Sequence, residues 1–297
     1  MNYTEFKFFI KKSIEAAYSH ANVSIQEMEK NNQVILDALI IKEEQYTYTP
    51  TIYLNDFYQD FCDGTSLIQI IFSIKEIYEQ QKTALPFDVS FFHDFQKVKG
   101  KIVYKLINYD RNKNLLCKVP FIRYLDLAIV FNCLVSTDSF GNATILIKND
   151  HLSLWNIRKD ELYEYAKMNT PALSPYEFKE MFELFHELTN SDKLSCQNNL
   201  IEDSGLMYVL SNERKINGAS CLLYDNILIE ISKQLHSDFY ILPSSIHELI
   251  IIPAKSNKRY QELSDMVLNV NESQLAEEEI LSDHVYFYSR NTKAVSM

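Results

Sequence analysis

The stretch DFYILPSSIHELIIIP, residues 238–253, decides the fold. Two apolar arms, FYIL and HELIII, flank Pro243, Ser244, Ser245 and Ile246. These are turn-forming types, since proline fixes the backbone and a serine hydroxyl bonds to nearby main chain. The stretch therefore predicts a β-hairpin, with strands joined by a short connection.

The same letters place Ser244, Ser245, His247 and Glu248 within five positions, which are the residue types of a hydrolase. Alternation along HELIII sends His247, Leu249 and Ile251 to one face and Glu248, Ile250 and Ile252 to the other. The histidine and glutamate then do not share a site. A helical zinc motif needs a second histidine four positions on, where Ile251 stands. A serine hydrolase would need Ser244 or Ser245 to meet His247 and a remote carboxylate, for which Asp126 is the candidate. These four residues are the catalytic candidates, against a turn as the simpler account.

Working outward, the chain opens with an amphipathic helix carrying Phe6, Phe9, Ile10, Ile14 and Ala17. VSIQEME and VILDALIIKE follow as a hairpin around Lys30, Asn31 and Asn32, because asparagine tolerates left-handed backbone. Ser66 and Gln69 form a capping box ahead of Leu67, Ile70, Ile71, Ile74 and Tyr78 on one helical face. A short helix around SFFHDFQKV leads to the strand KIVYKLIN and the long strand-like run FIRYLDLAIVFNCLV. After a turn at residues 138–141, NATILIK and HLSLW read as strands and IRKDELYEYAKM as a helix.

Pro171 and Pro175 interrupt the chain, and YEFKEMFELFHEL resumes as helix. The polar stretch at residues 190–205 reads as a linker between an N-terminal lobe, 1–189, and a C-terminal lobe, 206–297. In the second lobe MYVL, ASCLLY, FYIL, HELIII and VYFY read as strands, and ILIEISKQLH and RYQELSDMVLNV as helices. Strands joined by hairpins and interspersed with helices give an α+β fold of largely antiparallel sheet in two lobes.

Composition narrows the function classes. At 297 residues and 46% apolar side chains the chain can bury a substantial core. No apolar run approaches the ~20 residues that span a bilayer. Five scattered cysteines argue against both a disulfide framework and a CxxC zinc site, so a cytoplasmic protein is expected. Only five glycines occur, the closest two 13 positions apart, which excludes GxGxxG, GxxxxGK and GxSxG loops. No cofactor is expected. The seven histidines show no metal-ligand spacing, and Asp283 beside His284 reads as a solvated pair.

Asp126 lies in YLDLAIVF on the face of Ala128 and Val130. A carboxylate there needs an edge position or a partner, such as Lys105 on a neighbouring strand. Lys105 belongs to the one basic segment. Lys97, Lys99, Lys101, Lys105, Arg111, Lys113, Lys118 and Arg123 face a single acid, Asp110, which makes the window +7 against −18 for the rest. Interleaved with Tyr104, Tyr109, Phe121 and Tyr124, it suits phosphate contact and base stacking. It equally suits pairing with the acidic residues Glu272, Glu277, Glu278, Glu279 and Asp283. A net charge of −11 disfavours a protein-wide attraction to nucleic acid.

TPTIYLNDFY, VKGKIVYKLINYDRN, LDLAIVF, NATILIKNDHLSLW, the run from GASCLLY through the opening hairpin, and LSDHVYFYSR together resemble a bacterial family of gut anaerobes, domain of unknown function 5688. The likeness covers nearly the whole chain and implies a bacterial cytosolic protein. It carries no activity, cofactor or catalytic residue with it. The expectation is a non-catalytic cytoplasmic binding or interaction protein with a protein or small-ligand partner. The alternatives are polyanion binding through the basic segment, and a hydrolase or transferase without a recognisable motif.

Overall fold

The computed structural model describes residues 1–44, 46, 50–82, 89–136, 143–184, 207–254 and 260–297. The fold is α+β with antiparallel sheets in two compact units. One is built mainly from Met1–His93, the other from Asp94–Val135 and Ala143–Met297.

In the first unit, helix α1 (Tyr3–Ala17) precedes strands β1 (Asn22–Glu29), β2 (Ile35–Lys42) and β3 (Thr51–Tyr53), then helices α2 (Leu54–Cys62) and α3 (Leu67–Gln81). The strands form one antiparallel sheet in the order β1-β2-β3. Asn32, at φ 60, makes the left-handed turn between β1 and β2 that the sequence predicts. The capping box at α3 also forms, with Ser66 Oγ accepting from the Gln69 amide and Gln69 Oε1 from the Ser66 amide. Phe6, Ile10 and Ile14 of α1 and Ile70, Ile74 and Tyr78 of α3 share a core with Val23, Leu39, Ile41 and Ile52 of the sheet. Each buried large aliphatic side chain contributes roughly 1.5–3 kcal/mol relative to exposure.

The second unit opens with the short helix α4 (Phe95–Val98), strand β4 (Ile102–Asn108), helix α5 (Lys113–Leu116), β5 (Phe121–Tyr124), β6 (Leu127–Ser136) and β7 (Ala143–Leu146). Central β6 pairs with β4, β5 and β7. Helices α6 (Asn149–Trp155) and α7 (Lys159–Leu173) follow, and then β8 (Tyr176–Glu180), β9 (Tyr208–Asn212), α8 (Ile227–Leu235), β10 (Phe239–Leu242), β11 (Leu249–Pro253), α9 (Tyr260–Ser273), β12 (Tyr286–Ser289) and β13 (Ala294–Ser296). These last strands make a six-stranded antiparallel sheet, in the order β13-β12-β10-β11-β9-β8. Leu263 and Val267 of α9 seal one cluster against Leu242, Ile252 and Val285.

The opening hairpin is present, with Ile241 opposite Ile251 and Leu242 opposite Ile250. Its second arm begins at Leu249, so His247 and Glu248 belong to the connection and escape the strand alternation expected of them.

Other local expectations also fail. HLSLW lies in α6, where Leu152 and Trp155 fall one helical turn apart. ASCLLY lies in the 3₁₀ turn Gly218–Leu223. YEFKE is strand β8, and Pro175 disfavours helix at Ser174, where α7 ends. The run FIRYLDLAIVF breaks into β5 and β6 at a two-residue turn, because Leu125 adopts φ 53 and Tyr124 pairs with Leu127. Helix α7 also continues through Pro171 in its last turn. The turn expected at residues 138–141 and the linker at 190–205 lie outside the described residues, and β8 and β9, on either side of that linker, pair in one sheet.

Candidate functional site

The tip of the β5–β6 turn positions Asp126. Its carbonyl accepts from the Tyr109 amide at 3.0 Å, which fixes the turn against the end of β4. The carboxylate is 12% exposed and points at the segment leading into β12. Oδ2 accepts from Ser282 Oγ at 2.6 Å and lies 3.1 Å from His284 Nδ1. Oδ1 accepts from Tyr286 Oη at 2.5 Å. Burial, reinforced by the Asp126 charge and hydrogen bond, pushes the Tyr286 phenol far above its ordinary range. Ser282 and Tyr286 are fully buried, whereas the His284 ring is exposed.

A polar frame surrounds this centre. Asn108 Nδ2 donates to the Leu281 carbonyl, Asn271 Nδ2 to the Ser282 carbonyl and to Asp283 Oδ1, and Arg111 pairs with Asp283 at 2.8 Å. Asp126 is thus an anion held by two hydroxyls and an imidazole at a hairpin tip, not a strand residue facing Lys105, which sits opposite Val130 in β4.

The second cluster surrounds the β10–β11 connection. Ser244 and Ser245 are buried. Ser245 Oγ accepts from the His247 amide at 3.0 Å, a local turn bond. His247 Nδ1 accepts from the Asn217 amide at 3.3 Å, leaving Nε2 3.6 Å from Glu279. The His247 carbonyl accepts from Ser211 Oγ at 2.8 Å. Gly218 lies against this point: a Cβ there would stand 2.1 Å from Ser211 Oγ and 2.4 Å from the His247 carbonyl oxygen.

The chain segment 279–284 joins the two clusters. Ile246 donates to the Glu279 carbonyl, Leu281 to the Ser244 carbonyl and Ser282 to the Pro243 carbonyl. The candidates Ser244, Ser245, His247 and Asp126 therefore border one segment without assembling a relay. The Ser245 hydroxyl receives a main-chain N–H, the His247 ring nitrogen receives another, and Asp126 takes a different serine. A nucleophilic relay needs serine bonded to an imidazole that a carboxylate orients. Among the described residues, no group of three or more His, Cys, Asp and Glu side chains is placed to hold a metal ion.

Ser282, His284 and Tyr286 are absent from the sequence-based candidates. SDHVY holds all three within five residues, and bends at Asp283 and His284 bring them to one carboxylate, an arrangement that no periodic pattern marks.

The basic segment disperses over several elements. Arg111 pairs with Asp283, Lys113 with Asp110 at 2.8 Å, and Arg123 lies 4.4 Å from the Tyr109 ring centroid. Lys97 is 3.9 Å from Asp94. Lys101 and Lys118 are exposed, Lys99 and Lys105 half-buried. Tyr104 is buried in the core, so its ring is not open to a stacking base.

Residues 3–290 match a family described as a family of unknown function (DUF5688). The chain belongs to that family. Comparison with curated proteins and with solved structures returned no match. Membership in DUF5688 spans both units and both polar clusters.

The first unit of this DUF5688 chain exposes large apolar side chains. Ile68 is 81% and Phe72 62% exposed on α3, one turn apart and so on one face. Phe8 of α1 is 65% exposed and Phe9 also faces solvent. No helix among the described residues is long and apolar enough to cross a membrane.

Proposed function

We propose that the protein is a non-catalytic binding protein of the bacterial cytoplasm that docks a partner protein on the helical surface of its first unit. The exposed pair Ile68 and Phe72, with Phe8 and Phe9 on α1, carries this reading. Three phenylalanines and an isoleucine left in water are unfavourable to hydration, and aromatic anchors dominate the energetics of protein interfaces. The hydrogen bonding of Ser245, His247 and Asp126 agrees with it, since each serves the fold. The free thiols of Cys62, Cys117, Cys133 and Cys221 support a reducing compartment.

Photocrosslinking in the source cell, from a benzophenone amino acid placed at position 72, tests the proposal. One discrete adduct is expected, and it should disappear when Ile68→Asp is added. No adduct, or a non-specific ladder indifferent to Ile68→Asp, would overturn it.

A second reading, polyanion binding, is favoured by the outward-facing Lys97, Lys101 and Lys118. Affinity for a mixed oligonucleotide should then fall steeply with rising salt. Binding that is indifferent to salt, or to charge reversal at Lys97, Lys101 and Lys118, rules it out.

A further inference from the structure

The first unit contains a charged centre that the polar clusters of the second do not resemble. Lys82 follows the last residue of α3, and its amide closes that helix on the Tyr78 carbonyl. Its ammonium nitrogen lies 5.0 Å from the ring centroid of Tyr78 and 5.6 Å from those of Tyr18 and Tyr46. Two carboxylates complete the enclosure, Glu79 at 2.8 Å and Glu43 at 3.4 Å. The lysine side chain is 13% exposed.

The walls are themselves braced. Tyr78 Oη donates to Glu43 at 2.7 Å and Tyr18 Oη donates to Glu79 at 2.9 Å. The Tyr18 and Tyr78 rings meet edge to face, with centroids 5.1 Å apart. Three phenol rings therefore surround one small volume, and two anions face a single cation.

This is the chemistry that recognises alkylammonium ions. A ring face attracts a cation through its quadrupole, and the attraction grows as the cation loses water. A primary ammonium is compact and strongly hydrated, with three N–H groups to satisfy. Its two carboxylate contacts here leave much of the enclosure aromatic. A methylated or quaternary ammonium has fewer N–H groups and less hydration to lose, and so gains more from such walls.

We propose that Tyr18, Tyr46, Tyr78, Glu43 and Glu79 form a binding site for alkylammonium cations, with Lys82 as the resident occupant that a ligand displaces. Lysine carries its charge on a flexible four-carbon stem. The ammonium can leave by rotation of that stem while the helix end stays in place. The site is independent of the apolar surface on α1 and α3, so either proposal can fail without the other.

Lys82→Met keeps the stem and empties the site. Tetramethylammonium should bind this variant at least tenfold more tightly than the wild type by calorimetry, with sodium chloride of equal ionic strength as the control. Adding Tyr18→Leu should abolish the gain. A folded Lys82→Met protein without saturable binding, or binding indifferent to Tyr18→Leu, overturns the proposal. If Lys82→Met does not fold, the wild type decides the matter. Tetramethylammonium should then shift the ring resonances of Tyr18, Tyr46 and Tyr78 selectively, and no selective shift overturns the proposal. Tighter binding of a trimethyllysine amide than of choline would assign a partner's side chain as the source. The reverse order would assign a free small molecule, and both orders support the site.

Discussion

Lys82 in the first unit and Asp126 in the second are charges of opposite sign, almost equally withdrawn from water, with side chains 13% and 12% exposed. They are held in different ways. Aromatic faces and two carboxylates enclose the cation, contacts that tolerate small displacements. The anion is gripped by directed O–H bonds from Ser282 and Tyr286, each of which loses its acceptor if the carboxylate leaves. A long stem carries the first charge and a single methylene the second. Similar burial therefore conceals an exchangeable centre and a fixed one.

The sharpest way to break this comparison is Asp126→Ala, which strands two buried hydroxyls and should destabilise the protein by about 4 kcal/mol. Urea unfolding followed by Trp155, the sole tryptophan, reports on it. Asp126→Asn keeps one acceptor and should lose about half as much. A loss for Asp126→Ala smaller than that for Lys82→Met would invert the ranking.

Gly218→Ala asks whether the second unit is equally unyielding away from Asp126. The new methyl would meet the His247 carbonyl and the Asn212 amide nitrogen at 2.8 Å, both main-chain atoms. The backbone must shift, at a cost of about 3 kcal/mol. A crystal structure of a fully stable variant, with these residues unmoved, would refute the crowding.

Lys82→Met should cost only about 1–2 kcal/mol, because ring contacts and partly screened carboxylates supply less than directed bonds. Its pH dependence sharpens the contrast. Burial disfavours the Lys82 ammonium, but the hydrogen bond to Glu79 and the charge of Glu43 outweigh this and hold its pKa above the ordinary lysine value. The hydrogen bond from Lys82 holds Glu79 below its ordinary value. The lysine contribution is complete below its unfolded pKa and disappears as pH rises through the raised one. The glutamate contribution is present above its unfolded pKa and disappears as pH falls through the lowered one. The stability gap between wild type and Lys82→Met should be flat from about pH 5 to 9 and narrow outside that range. A gap that peaks at either extreme would contradict the pairing.

Arg111→Ala, which removes a half-exposed ion pair with Asp283, should change stability least, by about 0.5 kcal/mol, and less at high salt.

How far the sequence disclosed these two centres depended on the range of the contacts. Local rules sufficed for α3, whose Ser66 and Gln69 cap it within one turn, and for the β1–β2 hairpin, where Asn32 makes the turn. They failed where two local codes overlap. HLSLW and YEFKE each contain apolar residues compatible with either period, and tertiary packing chose between them. The Leu125–Asp126 turn was hidden because an aliphatic residue took the left-handed conformation that asparagine or glycine usually marks. Asp126 was noticed as a carboxylate needing a partner, but its partners stand 156 to 160 positions away, where no local pattern reaches. The Lys82 enclosure gathers residues from the ends of α1, β2 and α3, and nothing in their spacing announces it.

The segment 279–284 also sets a schedule. Asp126 leaves the ribosome 156 residues before Ser282, the hydroxyl that satisfies it. At about 5–20 residues per second that interval is on the order of ten seconds. The β5–β6 hairpin must spend it with a solvated carboxylate at its tip, and the Pro243–Ile246 connection must likewise await its partner. The second unit therefore cannot be completed until residue 282 has been made, and a nascent chain stalled before it would expose an unfinished sheet to chaperones and proteases.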